Sequence, residues 1–510
     1  MELMQREQHK GSFGTDMFSN GGFATNTHQH RGQKVNMRRR SKRASAVLMA
    51  ATAAANALTA KSAGVMCLLA LTAMCSAVFA KTALAQDYTG AVYAGTDDGQ
   101  KNGLVAYGRK ADGTLAYIGE YPSGGAGARL NTGGPIDPLI SAHSVLNVDN
   151  RFVLQLNAGS NTVSSFRVNK DFSLTLVSVV PSGGFGPDTI VERDGVVYVA
   201  NVDSDGVYTG PADQVGDIDA FELNRETGHL QEIPGSKRQL VGRPSDLAVA
   251  PTGRFLVVSI YNAGSSAISD AAAAELESFA IVRPGFLTPS PVSAITSTQR
   301  KNDQNRNLPG AIGIAIRESS GHQVVVVTES REFLPNGQPA TLSQFQTGSV
   351  STFDLNNFGF LRPISLDVPT SSQITTGPTN TSTSSCWISF NKDGQTFWVV
   401  SASSSIISSF RFNEDGAVEE IDSRAATGVP VNPDAANPAA GATGFVDVAE
   451  TGESDFLYDL ESGTGKVDVY RITSPDAPLT LLQQISTGLS QTGGVMGIAY
   501  VNPANLREGQ

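Results

Sequence analysis

Cysteine is nearly absent: the 510 residues contain three, Cys67, Cys75 and Cys386. The first two sit in a basic N-terminal segment. Residues 86–510 therefore hold one thiol and can form no internal disulfide, so stability must come from buried apolar area. Histidine is scarce as well, six in all, and no His/Cys cluster has zinc-ligand spacing. There is no Walker loop and no G-x-S-x-G elbow, which removes P-loop nucleotide chemistry and the serine-hydrolase arrangement. Sustained helical periodicity is missing from the body of the chain. The run Ala271–Ala274 is too short to nucleate a helix. No metal and no cofactor is expected.

Charge is unevenly spread. The chain carries a net −11, yet residues 1–85 hold eleven Lys/Arg against three Asp/Glu, a local +8 that leaves −19 for residues 86–510. So acidic a body repels phosphate backbones and argues against nucleic acid as a partner. Long apolar runs are limited to one, Gly64–Ala80, preceded by the basic cluster Arg38–Arg43 and followed by Ala83-Leu84-Ala85. Basic region, apolar stretch and A-x-A site together have the form of a secretory signal cleaved near Ala85. The expectation is a signal-bearing segment, 1–85, and an exported body, 86–510, secreted, extracellular or periplasmic. The alternative is a retained N-terminal membrane anchor, since the run is barely long enough to span a bilayer.

What the body does contain is a repeat. An aliphatic residue, two mostly small or polar residues and an aromatic recur seven times, as LVAYGR, VSSFRV, IDAFEL, LESFAI, VSTFDL, ISSFRF and VDVYRI. The aromatics are Tyr107, Phe166, Phe221, Phe279, Phe353, Phe410 and Tyr470, spaced by 55 to 74 residues. Most copies continue through a Gly turn into another apolar strand (ADGTLAYIGEY, ETGHLQEI, EDGAVEEI), the signature of a β-hairpin. A second hairpin precedes each copy, as in DLAVAPTGRFLVVSIYNAG. Four strands in each of seven units predict about 28 strands in an all-β, seven-bladed β-propeller, four antiparallel strands per blade. The first unit, starting at Val92-Tyr93-Ala94-Gly95, lacks an innermost strand, and Gly494–Tyr500 at the other end supplies a spare. Pairing the two would close the first blade with the C-terminal strand.

The segments GRFLVVSIYNAG, VYVAN and QVVVVTESREF, with the F/Y hairpins, resemble the lactonase-type seven-bladed propeller family, which includes 6-phosphogluconolactonases and 3-carboxymuconate lactonizing enzymes. The resemblance runs over residues 87–505. It implies lactone ring opening or closing at the mouth of the central channel, by His, Arg and Glu side chains and without a metal. His143 is the one position that matches a family pattern.

Propeller topology narrows the site independently. Loops that lead into first strands and loops that leave second strands share one face. Aligning first strands on their turns makes His143, Asp188, Asp246, Gly313, Trp387 and Phe445 equivalent, with Arg243 just before and Glu329 and Arg331 at a second-strand exit. His143, Arg243 and Glu329 are the candidate catalytic residues. A His or carboxylate can move the proton of an attacking water, and an arginine can hold a developing negative charge. Asp188, Asp246, Arg331 and Trp387 are candidate substrate-binding residues, although turn bonding by the aspartates and core packing by the tryptophan are the plainer readings. His229 and His322 fall in hairpin turns and read as surface. Asp203–Gly206 reads as an Asx turn rather than a calcium loop. Asn380-Thr381-Ser382 is a glycosylation sequon, meaningful only in a eukaryotic secretory host. Two polar inserts, 291–310 and 367–384, are expected at the rim or over the channel.

Two functions remain open: an exported lactonase-like enzyme acting on a small (carboxylated) lactone or organic acid, and a non-catalytic propeller binding an extracellular protein or glycan. A redox-cofactor propeller is a third, but no ligand set for one is evident. A membrane partner follows only if the N-terminal segment is retained.

Overall fold

The computed structural model describes residues 88–503 except 129–136, 204–214, 265–273, 297–305, 320, 454 and 475. The chain divides into two units, Met1–Leu84 and Ala85–Gln510, and every described residue belongs to the second. The basic segment and the expected secretory signal lie outside the described residues.

The second unit is all-β: seven antiparallel sheets, each built from consecutive hairpins. Blade two shows the plan, with strands Val145–Val148, Phe152–Asn157, Thr162–Val168 and Leu174–Pro181 ordered from first to fourth. The first strands of blades three to seven are Phe185–Arg193, Pro244–Val249, Ala311–Ser319, Ser385–Phe390 and Phe445–Glu450. Each first strand packs beside the next around the axis. Blade one takes three strands from the start of the unit (Gly90–Gly95, Gly103–Arg109, Leu115–Pro122) and its innermost, Ile498–Val501, from the end. Ala94 pairs with Ile498 and Ala91 with Val501. That last strand touches the first strands of both blade seven and blade two, so the ring closes as the repeat predicts.

Among the described residues thirty strand segments appear where about 28 were expected, because two fourth strands are broken. In blade three Leu230–Glu232 and Arg238–Gln239 are separated by Pro234-Gly235. In blade four Phe286–Leu287 and Ser293–Thr296 are separated by a stretch holding Pro289 and Pro291. Proline lacks the N–H that a ladder needs, so an outer strand breaks there while its neighbours hold register.

The repeat aromatics all lie on third strands and are at most 4% exposed. Each stands opposite a second-strand apolar residue, Phe166 opposite Val153 and Phe353 opposite Val325, for example. In five blades the pairing to the fourth strand slips by one residue immediately before the aromatic, as at Ser165/Phe166 and Ser409/Phe410. The slip bends and twists the outer hairpin. The turn glycines do two jobs. Gly113, Gly228 and Gly359 have φ of +89°, +83° and +87°, and a Cβ on them would lie 2.1, 2.4 and 2.5 Å from Phe456, Phe152 and Phe255 of the preceding blade. Only glycine takes this left-handed turn pressed against a ring.

Apolar side chains fill the spaces between blades. One core joins blades two and three around Phe152, Phe221 and Leu154, another blades five and six around Phe397, Phe410 and Val324. The largest spans blades six, seven and one and continues to the axis through Trp387, Cys386, Ile312 and Phe333. Removing residues 495–510 takes away the inner strand of blade one and the buried Val495 and Met496. A chain ending at Gly494 is expected to lose its cooperative thermal transition by circular dichroism. An unchanged melting curve would overturn the closure argument.

Candidate active site

The segment Asp137–Ser144, which leads into the first strand of blade two, crosses the axis and is bonded to three other blades. Asp137 Oδ1 accepts from the N–H groups of Leu139 (3.1 Å) and Ile140 (2.6 Å), forming a tight turn. The Arg243 guanidinium donates to the Leu139 carbonyl. Ser141 Oγ donates to the Asp188 carbonyl at 2.7 Å, and the Ala142 N–H to Ser245 O at 3.0 Å. Trp387 Nε1 donates to Ser141 O at 3.1 Å. Trp387 is 1% exposed and packs with Leu139 and Ala142, so it anchors this segment rather than offering a free stacking plate. Trp387→Phe would leave a buried carbonyl without its donor and is expected to cost about 1–3 kcal/mol in urea unfolding. A loss below a few tenths would show the bond to be idle.

His143 ends this segment in a left-handed conformation, φ +60°. Its Nδ1 lies 2.8 Å from Asp246 Oδ1. Asp246 is fully buried, and its carboxylate also accepts from the N–H of Leu247 (2.8 Å), Thr189 Oγ1 (3.1 Å) and the N–H of Ile314 on the next blade (2.8 Å). A carboxylate held by so many donors is rigid, and it fixes the imidazole in turn. The other ring nitrogen, Nε2, makes no hydrogen bond among the described residues, and 40% of the side chain remains open to solvent. Burial pushes the imidazole pKa down, but the charge and hydrogen bond of Asp246, with Asp447 beyond, prevail and lift it to about 9.

Asp447 is the blade-seven counterpart of Asp246. Its Oδ1 accepts from the Val448 N–H and its Oδ2 from the Ile498 N–H, both at 3.0 Å, just as Asp246 bonds its own next residue and the next blade. Burial raises its carboxyl to about 6 against the pull of His143. The alignment of first strands placed Phe445 here. Phe445 instead faces the core at 1% exposure. The shared sequence Asp-aliphatic-Ala, Asp246-Leu247-Ala248 and Asp447-Val448-Ala449, was the signal that identifies the true equivalent.

Asp188 and Arg243 adjoin this pair. Asp188 is 1% exposed and neither carboxyl oxygen has a hydrogen-bond partner; Arg243 Nη2 is 3.8 Å away. Burial raises the Asp188 pKa well above the usual carboxylate range despite Arg243, with Asp137 and Asp246 adding to the rise. Arg243, 4% exposed, also lies 6.0 Å from the face of Tyr261, whose hydroxyl donates to Glu332 at 2.7 Å. Burial holds the Asp137 carboxyl at about 7 and raises that of Glu332. Asp137, Tyr261, Glu332 and Asp447 were not singled out from the sequence.

Glu329 and Arg331 form a separate set. Arg331 pairs with Glu329 and, at 2.7 Å, with Asp367; its Nε donates to Ser349 Oγ at 2.9 Å and its Nη1 to Asn307 O at 3.1 Å. Arg306 joins through Asp367 and the Thr347 carbonyl, and Ser349 and Ser351 donate to Glu329. Glu329 and Arg331 are at most 1% exposed, and these bonds tie them to Ser349, Ser351, Asn307 and Asp367. Of the seven candidates, then, His143, Asp188, Arg243 and Asp246 converge, Trp387 braces their segment, and Glu329 and Arg331 lie together elsewhere. His229 and His322 are on the surface. Among the described residues no group of three or more His, Cys, Asp or Glu side chains is placed to hold a metal ion.

Neither a known protein family nor a curated protein matches this chain in sequence. Solved structures do match in fold. A putative 6-phosphogluconolactonase from Bacteroides fragilis superposes with a TM-score of 0.52 at 13% identity, covering 82% of this chain and 99% of that one. A second putative 6-phosphogluconolactonase, from Bacteroides uniformis, gives 0.45 at 14% identity over 66% of this chain and 81% of that one. A functionally unknown protein from Desulfotomaculum acetoxidans gives 0.48 at 11% identity over 80% and 98%. At these identities the likeness to the first of them establishes the propeller architecture and leaves the chemistry to the side chains.

Proposed function

We propose that this protein is a lactone hydrolase whose reaction centre is the His143–Asp246 pair. The observation that carries the reading is one imidazole nitrogen locked on a buried carboxylate while the other is open to solvent. That is the geometry of a proton-transferring histidine. The name borne by the Bacteroides fragilis protein agrees with it.

At neutral pH the imidazole is protonated. Nε2–H donates to the lactone carbonyl oxygen as water adds to the carbonyl carbon, and the attacking water loses its proton to solvent. When the ring C–O bond breaks, the Nε2 proton passes to the leaving alkoxide. The product is a hydroxy acid, and His143 recovers its proton from solvent. Asp246 holds the ring and stabilises its charge. Arg243 fixes the backbone of Asp137–His143, so it is a positioning residue. Glu329 and Arg331 have a structural role in this reading.

The sign of the pH dependence follows. The active form is the acid, so kcat/KM is flat below the imidazole pKa and falls as pH rises through about 9. A profile that keeps climbing past that point, after subtraction of spontaneous hydrolysis, would assign His143 the opposite role. The test of the whole reading is a panel of lactones assayed with the full chain and with His143→Ala. Equal rates in the two proteins would leave a binding propeller.

A further inference from the structure

We infer that the lactone taken at His143 carries no negative charge: neither a phosphoryl nor a free carboxylate group. The inference rests on the reading of His143 as the reaction centre and adds the substrate class.

Five carboxyl groups face two cations around the axis. Asp246 lies 2.8 Å from His143, and Asp447 acts on it from blade seven. Asp188 lies 3.8 Å from Arg243. Asp137 and Glu332 act on the same arginine and its Tyr261 neighbour. The positive charge of His143 is therefore already answered by two carboxylates. Arg243 is 4% exposed and its guanidinium is committed to the Leu139 carbonyl, to Asp188 and to the face of Tyr261. Of the other buried arginines, Arg306 and Arg331 are consumed by Asp367 and Glu329, Arg317 by the Gly394 carbonyl, and Arg109 by Thr89 and Tyr500. A second anionic group on the substrate would enter this site with no described cation left to meet it.

Asp188 points the same way: Arg243 is 3.8 Å away, yet neither carboxyl oxygen accepts a hydrogen bond. A buried carboxyl with both oxygens unbonded wants a donor, not another acceptor. The hydroxyl groups of a polyhydroxy lactone are donors, and a phosphate dianion is not. At longer range the −19 carried by residues 86–510 slows the arrival of any anion.

The matched pair glucono-1,5-lactone and 6-phosphoglucono-1,5-lactone isolates the single variable. Both are assayed with the full chain and with His143→Ala, each at low and at high NaCl. The expected result is a kcat/KM higher for the unphosphorylated lactone by about tenfold or more, the effect of an uncompensated phosphate charge at close range. Salt should raise kcat/KM for the phosphorylated lactone by screening the repulsion and leave the neutral one unchanged. Equal rates, or a preference for the phosphorylated lactone, each lost in His143→Ala, would overturn the substrate class while the reaction centre stands. Hydrolysis of neither lactone above the rate of His143→Ala would remove the reaction centre and this inference with it.

Discussion

Replacing His143 with alanine is expected to lower kcat/KM for lactone hydrolysis by about 10²–10⁴-fold, the usual contribution of a positioned proton-transfer group. The fold should survive. The side chain is 40% solvent-open, and the backbone of its segment is held by Arg243, Trp387 and the Ser141 and Ala142 bonds, none of which involves the imidazole. Thermal unfolding within a few degrees of the parent, together with the loss of rate, separates chemistry from stability. Asp246→Asn is the complement. Its removal takes away the nearest charge that holds the imidazole at about 9, and burial, which pushes the other way, gains weight. The alkaline limb of kcat/KM should therefore shift to lower pH. A limb that stays in place would mean that Asp246 does not govern His143. Because Asp246 also bonds the Ile314 N–H of the next blade, this variant should lose stability as well, which makes the pH profile the informative readout.

Among single substitutions the largest loss of stability is expected from Asp367→Ala. Asp367 is the shared partner of Arg306 and Arg331, side chains only 2% and 1% exposed. Burial already pushes the Arg306 guanidinium down to about 10 and lowers that of Arg331, so both are costly to keep charged. Without Asp367 two like charges would stand close together in the interior with Glu329 left to answer them. Breaking a buried ion set in this way costs about 3–5 kcal/mol. Urea unfolding measures it, and a loss under about 1 kcal/mol would show that water reaches the cluster and relaxes it. The residual folded protein should retain its kcat/KM, since the cluster takes no part in the proposed reaction.

These three variants also mark what could be read from the sequence. The blades were legible because each repeats one pattern: an aromatic on the third strand, a Gly turn, and alternating apolar residues. The same packing problem, a ring pressed between adjacent sheets, is solved the same way at Phe166, Phe221 and Phe353. Closure was legible because the first unit was one strand short. His143, Asp188, Arg243 and Asp246 were legible because blade topology dictates which strand ends face the axis. Glu329 and Arg331 occupy a comparable strand end, yet they turn into their own sheet, drawn by Ser349, Ser351 and Asp367. Strand position fixes where a backbone lies but not which neighbour a long side chain chooses. Asp447 was missed for a different reason: the blade-seven turn runs two residues further past its glycine (Gly452 to Phe456) than the blade-four turn (Gly253 to Phe255), so an alignment on turns lands on Phe445. Tyr261 and Glu332 belong to loops, where no period constrains the reading.

The joining of Gly90–Gly95 to Ile498–Val501 has a consequence for how the chain comes into being. On the ribosome the earliest sheet must wait, with an open edge, until residues 498–501 have been translated. A message cut short before them yields a polypeptide whose opening strands never find their mate, and such a product presents an exposed ladder to proteases and chaperones. The architecture thus distinguishes copies that carry the closing strand from those that lack it.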